Sequence, residues 1–332
     1  MQGDRFIQMF KFNEIILNNG LILYLLILFL LELAYLKIAD YYNIIDKPNA
    51  RSSHTIPIIR GGGIVFVLGF LLWSAVNQFA YPYLLVGVLL AAIISFIDDI
   101  KALPSILRFG VHIISVALFL FQLGLLQFSW WLLPLFILLI GIKNAYNFMD
   151  GINGITGFYS LAIFIPFWIT EQDELLKGFI GVAMVSLVVF LFFNARKRAK
   201  CFAGDIGSIS IALMVMFAIV HRIIETGNYI YMLALLVYGI DSIFTIAQRL
   251  FQGENIFKAH RKHLYQYLVN EFKIPHLLVS GIYAVLQLLF NFWLLMAEPS
   301  INIALGFALL FGVSYMLLKF VLHKRIGHFN YN

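Results

Sequence analysis

The stretch Asn144-Ala-Tyr-Asn147-Phe-Met-Asp150-Gly151-Ile-Asn153-Gly154 concentrates side chains able to do chemistry. With Lys143 just before it, it offers a cation, three side-chain amides, a carboxylate and two glycines. Amide and carboxylate oxygens suit a hard cation such as Mg²⁺, and glycines let the backbone approach a bulky anion. Apolar runs flank it, at 130–142 and from Ile155 onward. A polar knot beside lipid is costly unless it binds something, although a hydrophilic loop joining two helices is the plainer reading.

Five further clusters have potential. Asp98-Asp99 ends an apolar run and precedes Lys101 and Leu103-Pro104. Adjacent carboxylates repel, and Asp at a helix C-terminus opposes the macrodipole, so the pair calls for a nearby cation, metal or phosphate system. Gly204-Asp205-Ile-Gly207-Ser208 opens another run, where a carboxylate is locally stabilised and glycines expose backbone N–H groups; Asp205 also reads as a simple N-cap. Asp46-Lys47-Pro48-Asn49, Arg51, His54, Arg60 and Gly61-Gly62-Gly63 form a basic loop ending in a glycine run, a composition suited to phosphate or simply to a positively charged membrane loop. His260-Arg261-Lys262-His263-Leu-Tyr265-Gln266 lacks a third zinc ligand at suitable spacing and fits a sugar-phosphate better. Asp241, Thr245 and Arg249 share one helical face; Asp241 is an intramembrane carboxylate, open to a functional or a structural reading. Glu32 has no assignment.

Helices inside a membrane must position these groups. Of 332 residues, 62% are hydrophobic and only 12% charged, against ~25% charged in soluble domains. Apolar runs predict one all-α polytopic bundle of about 11 transmembrane helices. The expected spans are 20–38, 64–79, 83–97, 109–125, 130–142, 155–169, 179–193, 206–220, 229–247, 276–296 and 301–320. The first is too long for a signal-peptide core and reads as retained. Cys201 is the only cysteine, so neither a disulfide framework nor a cysteine zinc site is available. The net charge of +6 is explained by loops rather than by nucleic acid.

Lys and Arg crowd the loops at about 39–63, 98–108, 143–154, 194–205 and 248–275, whereas the opposite side holds only Arg5, Lys11, Lys177 and Arg222. This bias puts the N-terminus outside and the C-terminus in the cytoplasm. Every chemically promising cluster falls on the cytoplasmic side. A transporter would place such groups near the midplane, as only Glu32 and Asp241 are. One-sidedness favours a membrane enzyme over an ion-coupled transporter or an inactive scaffold.

Taken together, from about Asp46 to Gln266, these motifs resemble the polyprenyl-phosphate N-acetylhexosamine-1-phosphate transferase family, with its WecA-, TagO- and MraY-like members. The histidine motif is most similar to the WbpL-type, O-antigen-initiating branch, and the triple-histidine pattern of the peptidoglycan enzymes is absent. Asn153 stands where many bacterial relatives have Asp, so that position cannot supply an obligatory base. The resemblance implies transfer of N-acetylhexosamine-1-phosphate from a UDP-sugar to undecaprenyl phosphate, with Mg²⁺, or Mn²⁺ as an alternative, held by Asn147 and Asp205. It implies that Asp98 deprotonates or orients the lipid phosphate, that Asp99 and Lys101 organise metal and phosphate, and that Asp150 and Asn153 position the nucleotide. Arg51, His54, Asn144, His260, Arg261 and His263 are the implied substrate contacts. The expected surroundings are the bilayer of the cytoplasmic membrane, with a homodimer compatible and the identity of the sugar open.

Overall fold

The computed structural model describes residues 20–48, 53–127, 129–256 and 260–329, with side chains described through Arg325. Each expected apolar run becomes a helix. In order these are α1 (Gly20–Tyr41), α2 (Ile64–Val76), α3 (Pro82–Ile100), α4 (Ser105–Gln122), α5 (Leu132–Met149), α6 (Ile155–Thr170), α7 (Glu174–Asn194) and α8 (Gly204–Thr226). A 3₁₀ segment, Tyr229–Leu235, runs into α9 (Leu236–Phe251); α10 (Leu264–Gln266) is one turn, followed by α11 (His276–Ala297) and α12 (Ile301–Phe329). Where about 11 spans are expected, nine helical segments among the described residues are long and apolar enough to cross a membrane; α2 and α6, at 13 and 16 residues, are shorter apolar helices. The chain is a multi-pass membrane helix bundle.

The bundle is built around α8, whose spanning window is 83% buried, against 17% for α1 and 11% for α12. Gly207, Ser208, Ser210, Ala212 and Ala218 keep α8 slim enough for neighbours to close in on every side. By contrast, α12 presents Leu305, Leu309, Leu310 and Leu317 outward, as a lipid-facing helix must.

At the start of α9 the 3₁₀ segment leaves backbone N–H groups without helical acceptors. Gln287 Oε1 accepts from Val237 N at 2.9 Å, and the Tyr159 hydroxyl accepts from Tyr238 N at 3.2 Å. Asn291 Nδ2 donates to the carbonyls of Ala162 and Ala234, so side chains from α6 and α11 satisfy a break that lipid could not.

Two expectations change here. The fifth helix runs past Ile142 to Met149, so Asn144 and Asn147 are helical rather than in a loop. The reason is packing: Lys143, Tyr146 and Met149 are buried and continue the inner face of α5. Likewise, Ala203 is the residue that caps α8 and Asp205 lies inside its first turn, so Asp205 is not an N-cap.

Outside the helices, β1 (Ile45–Asp46) pairs antiparallel with β2 (Ile58–Ile59), and Ile59 bridges to Cys201. This small ladder folds the basic loop back across the start of α8.

Candidate active site

Close backbone packing comes first. Gly62 N donates to Phe202 O at 2.8 Å and Gly63 N to Ala203 O at 3.0 Å. A Cβ at Gly63 would overlap the Gly207 Cα, and one at Gly207 would lie 2.6 Å from the Gly63 Cα. The glycine run, whose composition suggested phosphate contact, therefore spends these N–H groups on locking the entry of α2 against the entry of α8. Gly204, at φ +70, makes the turn into α8; a Cβ there would stand 2.6 Å from Asp99 Oδ2. No larger residue fits that corner.

The lock sets the charges. Arg60, immediately before the glycines, reaches Asp99 Oδ1 at 2.8 Å and Asp205 Oδ1 at 3.5 Å through one guanidinium nitrogen. Burial alone would lower the Arg60 pKa, but Asp99 and then Asp205 outweigh it and the net direction is up. Asp205 N donates to Asp99 Oδ2 at 3.0 Å. The ends of α3 and α8 thus bring two carboxylates to one cation. Ser208 Oγ donates to Asn147 Oδ1 at 3.0 Å, fixing the amide of α5 beside them.

Arg60, Asn147 and Asp205 face a cavity of about 310 Å³, lined also by Asp150, His54 and Gln266, among others, while Asp99 stays buried behind it. Asp150 ends α5 and accepts from Thr156 Oγ1 at 2.6 Å. Burial pushes its carboxyl up to about 6; the Thr156 bond opposes this and Asp205 adds to it. His54 lies 3.8 Å from Asp46, which also lines the cavity, and its ring meets Phe202 edge-on.

Other expected site residues take different places. Asp98 is held by Arg108 at 2.5 Å and by the Leu103 amide at 2.8 Å, so it points away from Asp99 and fixes the turn after α3. Lys101 is exposed. Asn144 is exposed on α5 and absent from the cavity wall. Asn153 is buried: its amide donates to Arg196 O at 2.7 Å and its carbonyl accepts from Ser280 Oγ at 2.8 Å. It joins a neighbouring cavity of about 590 Å³ rimmed by Arg196, Lys197, Arg198 and His276, which shares Ser53 and His54 with the first. Arg51 lies outside the described residues.

The histidine motif docks on the end of α5. Tyr265 donates to Phe148 O at 2.9 Å, and Gly151 is a glycine because a Cβ there would overlap the Tyr265 hydroxyl. His260 Nδ1 accepts from the Lys262 amide at 3.3 Å, leaving Nε2–H as a donor. Burial, with His263 and Arg249 adding, pushes His260 down to about 4, so near pH 7 it acts as a neutral hydrogen-bond partner. Arg261 is partly buried in the same loop.

His263 is buried and its Nδ1 meets Asp241 Oδ1 at 2.9 Å. Asp241 also accepts from Tyr283 at 2.6 Å, Tyr315 at 3.0 Å, Thr245 at 3.2 Å and the Leu264 amide at 3.3 Å. A carboxylate so surrounded by donors takes the proton-bearing Nδ1 and fixes the imidazole tautomer. Asp241 is therefore a positioning group. Asp241→Asn is expected to lower turnover about 10–100-fold and to displace the pH–rate profile. A fall in activity that only follows a fall in Tm, with the profile unmoved, would show a purely structural role.

Arg60, Arg108, Asp46 and Gln266 are contributors beyond the expected set. Asp46, Arg60 and Gln266 had a visible signal, as members of the basic loop and of the histidine motif; Arg108 had none.

The fold and site together are those of a multi-pass membrane bundle with carboxylates, amides and a guanidinium clustered around one cavity. Residues 81–222, which carry Asp98, Asp99, Asn147, Asp150 and Asp205, match the family model described as Glycosyl transferase family 4. The phospho-N-acetylmuramoyl-pentapeptide-transferase of Thermotoga neapolitana is 31% identical over 173 residues, 45% of this chain and 56% of its own length. The probable undecaprenyl-phosphate N-acetylglucosaminyl 1-phosphate transferase of Bacillus subtilis is 24% identical over 258 residues, 70% of this chain and 72% of its own. The undecaprenyl-phosphate alpha-N-acetylglucosaminyl 1-phosphate transferase of Escherichia coli is 26% identical over 263 residues, 70% and 71%. The chain thus spans little more than half the length of the first of these and about seven-tenths of the other two.

Proposed function

We propose that this protein transfers N-acetylhexosamine-1-phosphate from a UDP-N-acetylhexosamine to a polyprenyl phosphate, releasing UMP. The observation that carries the reading is the meeting of Asp205 and Asn147 with Arg60 at one cavity, with the buried Asp99 held behind them by the same guanidinium. A phosphate oxygen of the lipid forms a bond to the β-phosphorus of the donor. The bond from that phosphorus to the bridging oxygen breaks, and UMP departs with the electron pair. Two polyanions must meet, so the site has to supply positive charge and orientation.

The donor set fits a magnesium ion. Among the described residues no three His, Cys, Asp or Glu side chains form an all-protein metal cage. Mg²⁺ does not require one, because it keeps waters and substrate phosphates and takes one or two carboxylates. Asp205 and Asn147, with Asp99 beside them, would hold it, and Mn²⁺ suits the same oxygens. When bound, the metal would offset charge on the diphosphate. Arg60 holds the two carboxylates together and lends its own charge to the phosphates. Asp150 lines the donor side, His54 and His260 offer hydrogen bonds to sugar or phosphate, and Asp98 keeps the turn before Arg108 in place.

The loop charge bias supports a cytoplasmic site in the inner membrane, with the N-terminus outside and the lipid tail along apolar helices. The two-histidine motif supports an O-antigen-type or related polysaccharide donor over the peptidoglycan one. Purified protein in detergent, given undecaprenyl phosphate, Mg²⁺ and a panel of UDP-N-acetylhexosamines, is expected to release UMP only when both lipid and metal are present. EDTA should abolish release and Mg²⁺ restore it. Release that survives EDTA would sink the metal assignment, and no release from folded protein with any donor would sink the reaction.

A further inference from the structure

We propose that Lys143 is a phosphate-binding residue of this site, its ammonium receiving a substrate phosphate that approaches from the Asp205 side, beside the cavity wall formed by Asn147. The inference rests on the transferase reading above.

Lys143 lies on α5, one turn before Asn147 and on the same face. It is only 2% exposed. Among the described residues it forms no hydrogen bond or ion pair, whereas the nearby cations are engaged, Arg60 by Asp99 and Asp205, and Arg108 by Asp98. Its electrostatic neighbours are Asp205 on one side and Arg108 and His112 on the other. α5 packs against both helices that carry these groups, α8 and α4.

A lysine so deeply buried and without a hydrogen bond or ion pair among the described residues is a penalty on the folded state. Packing does not call for it, since the adjoining inner positions on α5 are Leu139, Tyr146 and Met149. An apolar residue of similar length would serve the fold better. The arrangement makes sense if an anion completes it. Asp205 supplies the charge on one side only, and its carboxylate is already shared with Arg60. A phosphate approaching from the Asp205 side would accept from Lys143 while its remaining oxygens face the Asn147 side.

Either substrate brings such a group, the lipid as a phosphate monoester and the nucleotide sugar as a diphosphate. The test is Lys143→Met, with Lys143→Gln as a second variant, in the full chain in detergent. Each substrate is varied while the other is held saturating, and Tm is recorded alongside. The expected result is a Tm unchanged or raised, with kcat/KM lowered at least about tenfold for one or both substrates. A KM rise confined to polyprenyl phosphate assigns the acceptor phosphate, and one confined to the UDP-sugar assigns the diphosphate. Unchanged kcat/KM for both, or a loss that follows a lowered Tm in both variants, overturns the proposal. If the unaltered protein releases no UMP, it is the transferase reading that fails.

Discussion

Replacing Asp205 with Asn is expected to lower UMP release by about 10³-fold while leaving the protein folded. Asp205 stands in the first turn of α8, faces the cavity, and shares Arg60 with Asp99. Asn keeps the shape but removes the charge that a divalent cation and a diphosphate require. Its backbone N–H still donates to Asp99 Oδ2, so the corner where α3 meets α8 keeps its geometry. Two carboxylates next to one another repel, so neutralising one should hold Tm steady or raise it. Loss of activity without loss of Tm separates a chemical role from a structural one. An Asp205→Asn protein that turns over at the unaltered rate would remove the central residue of the proposed site.

Gly63→Ala should do the opposite and damage both readouts. The new methyl would overlap the Gly207 Cα and lie 2.9 Å from the Ala203 carbonyl, backbone atoms with no rotamer by which to retreat. Overpacking of this kind costs about 1–3 kcal/mol, enough to lower Tm by several degrees. It would also push the start of α2 away from that of α8 and draw Arg60 from Asp99 and Asp205. A displacement near 1 Å costs on the order of 10²-fold in rate, so activity should fall by at least that much. Gly110→Ala on α4 is the matched control, since a Cβ there meets nothing within 4 Å, and it should leave activity unchanged and Tm unchanged or slightly raised. Equal behaviour of the two variants would show that the glycine lock does not position the site.

Composition and the lengths of the apolar runs were enough to specify the class of fold and the chemical inventory. Apolar runs long enough to span lipid force helices, because a backbone without water must satisfy itself, and each expected run is a helix here. The functional clusters were legible for the same reason: carboxylates, amides and cations are conspicuous when 62% of a chain is hydrophobic. What each one touches was not legible. Asp98 and Asp99 are neighbours in sequence, yet a helix turns successive side chains about 100° apart. One therefore meets Arg108 on α4 and the other meets Arg60 and the start of α8. Asp241 had two open readings, and only the approach of α11, α12 and the histidine loop gathers Tyr283, Tyr315 and His263 around it. Asn153 carried the same amide as Asn147, but the fold spends one on the Arg196 carbonyl and turns the other into the cavity. Residue type and local spacing restrict what a side chain can do. Which partner it meets depends on contacts between segments far apart in the chain, and these are set by how α8 lets its neighbours pack around it.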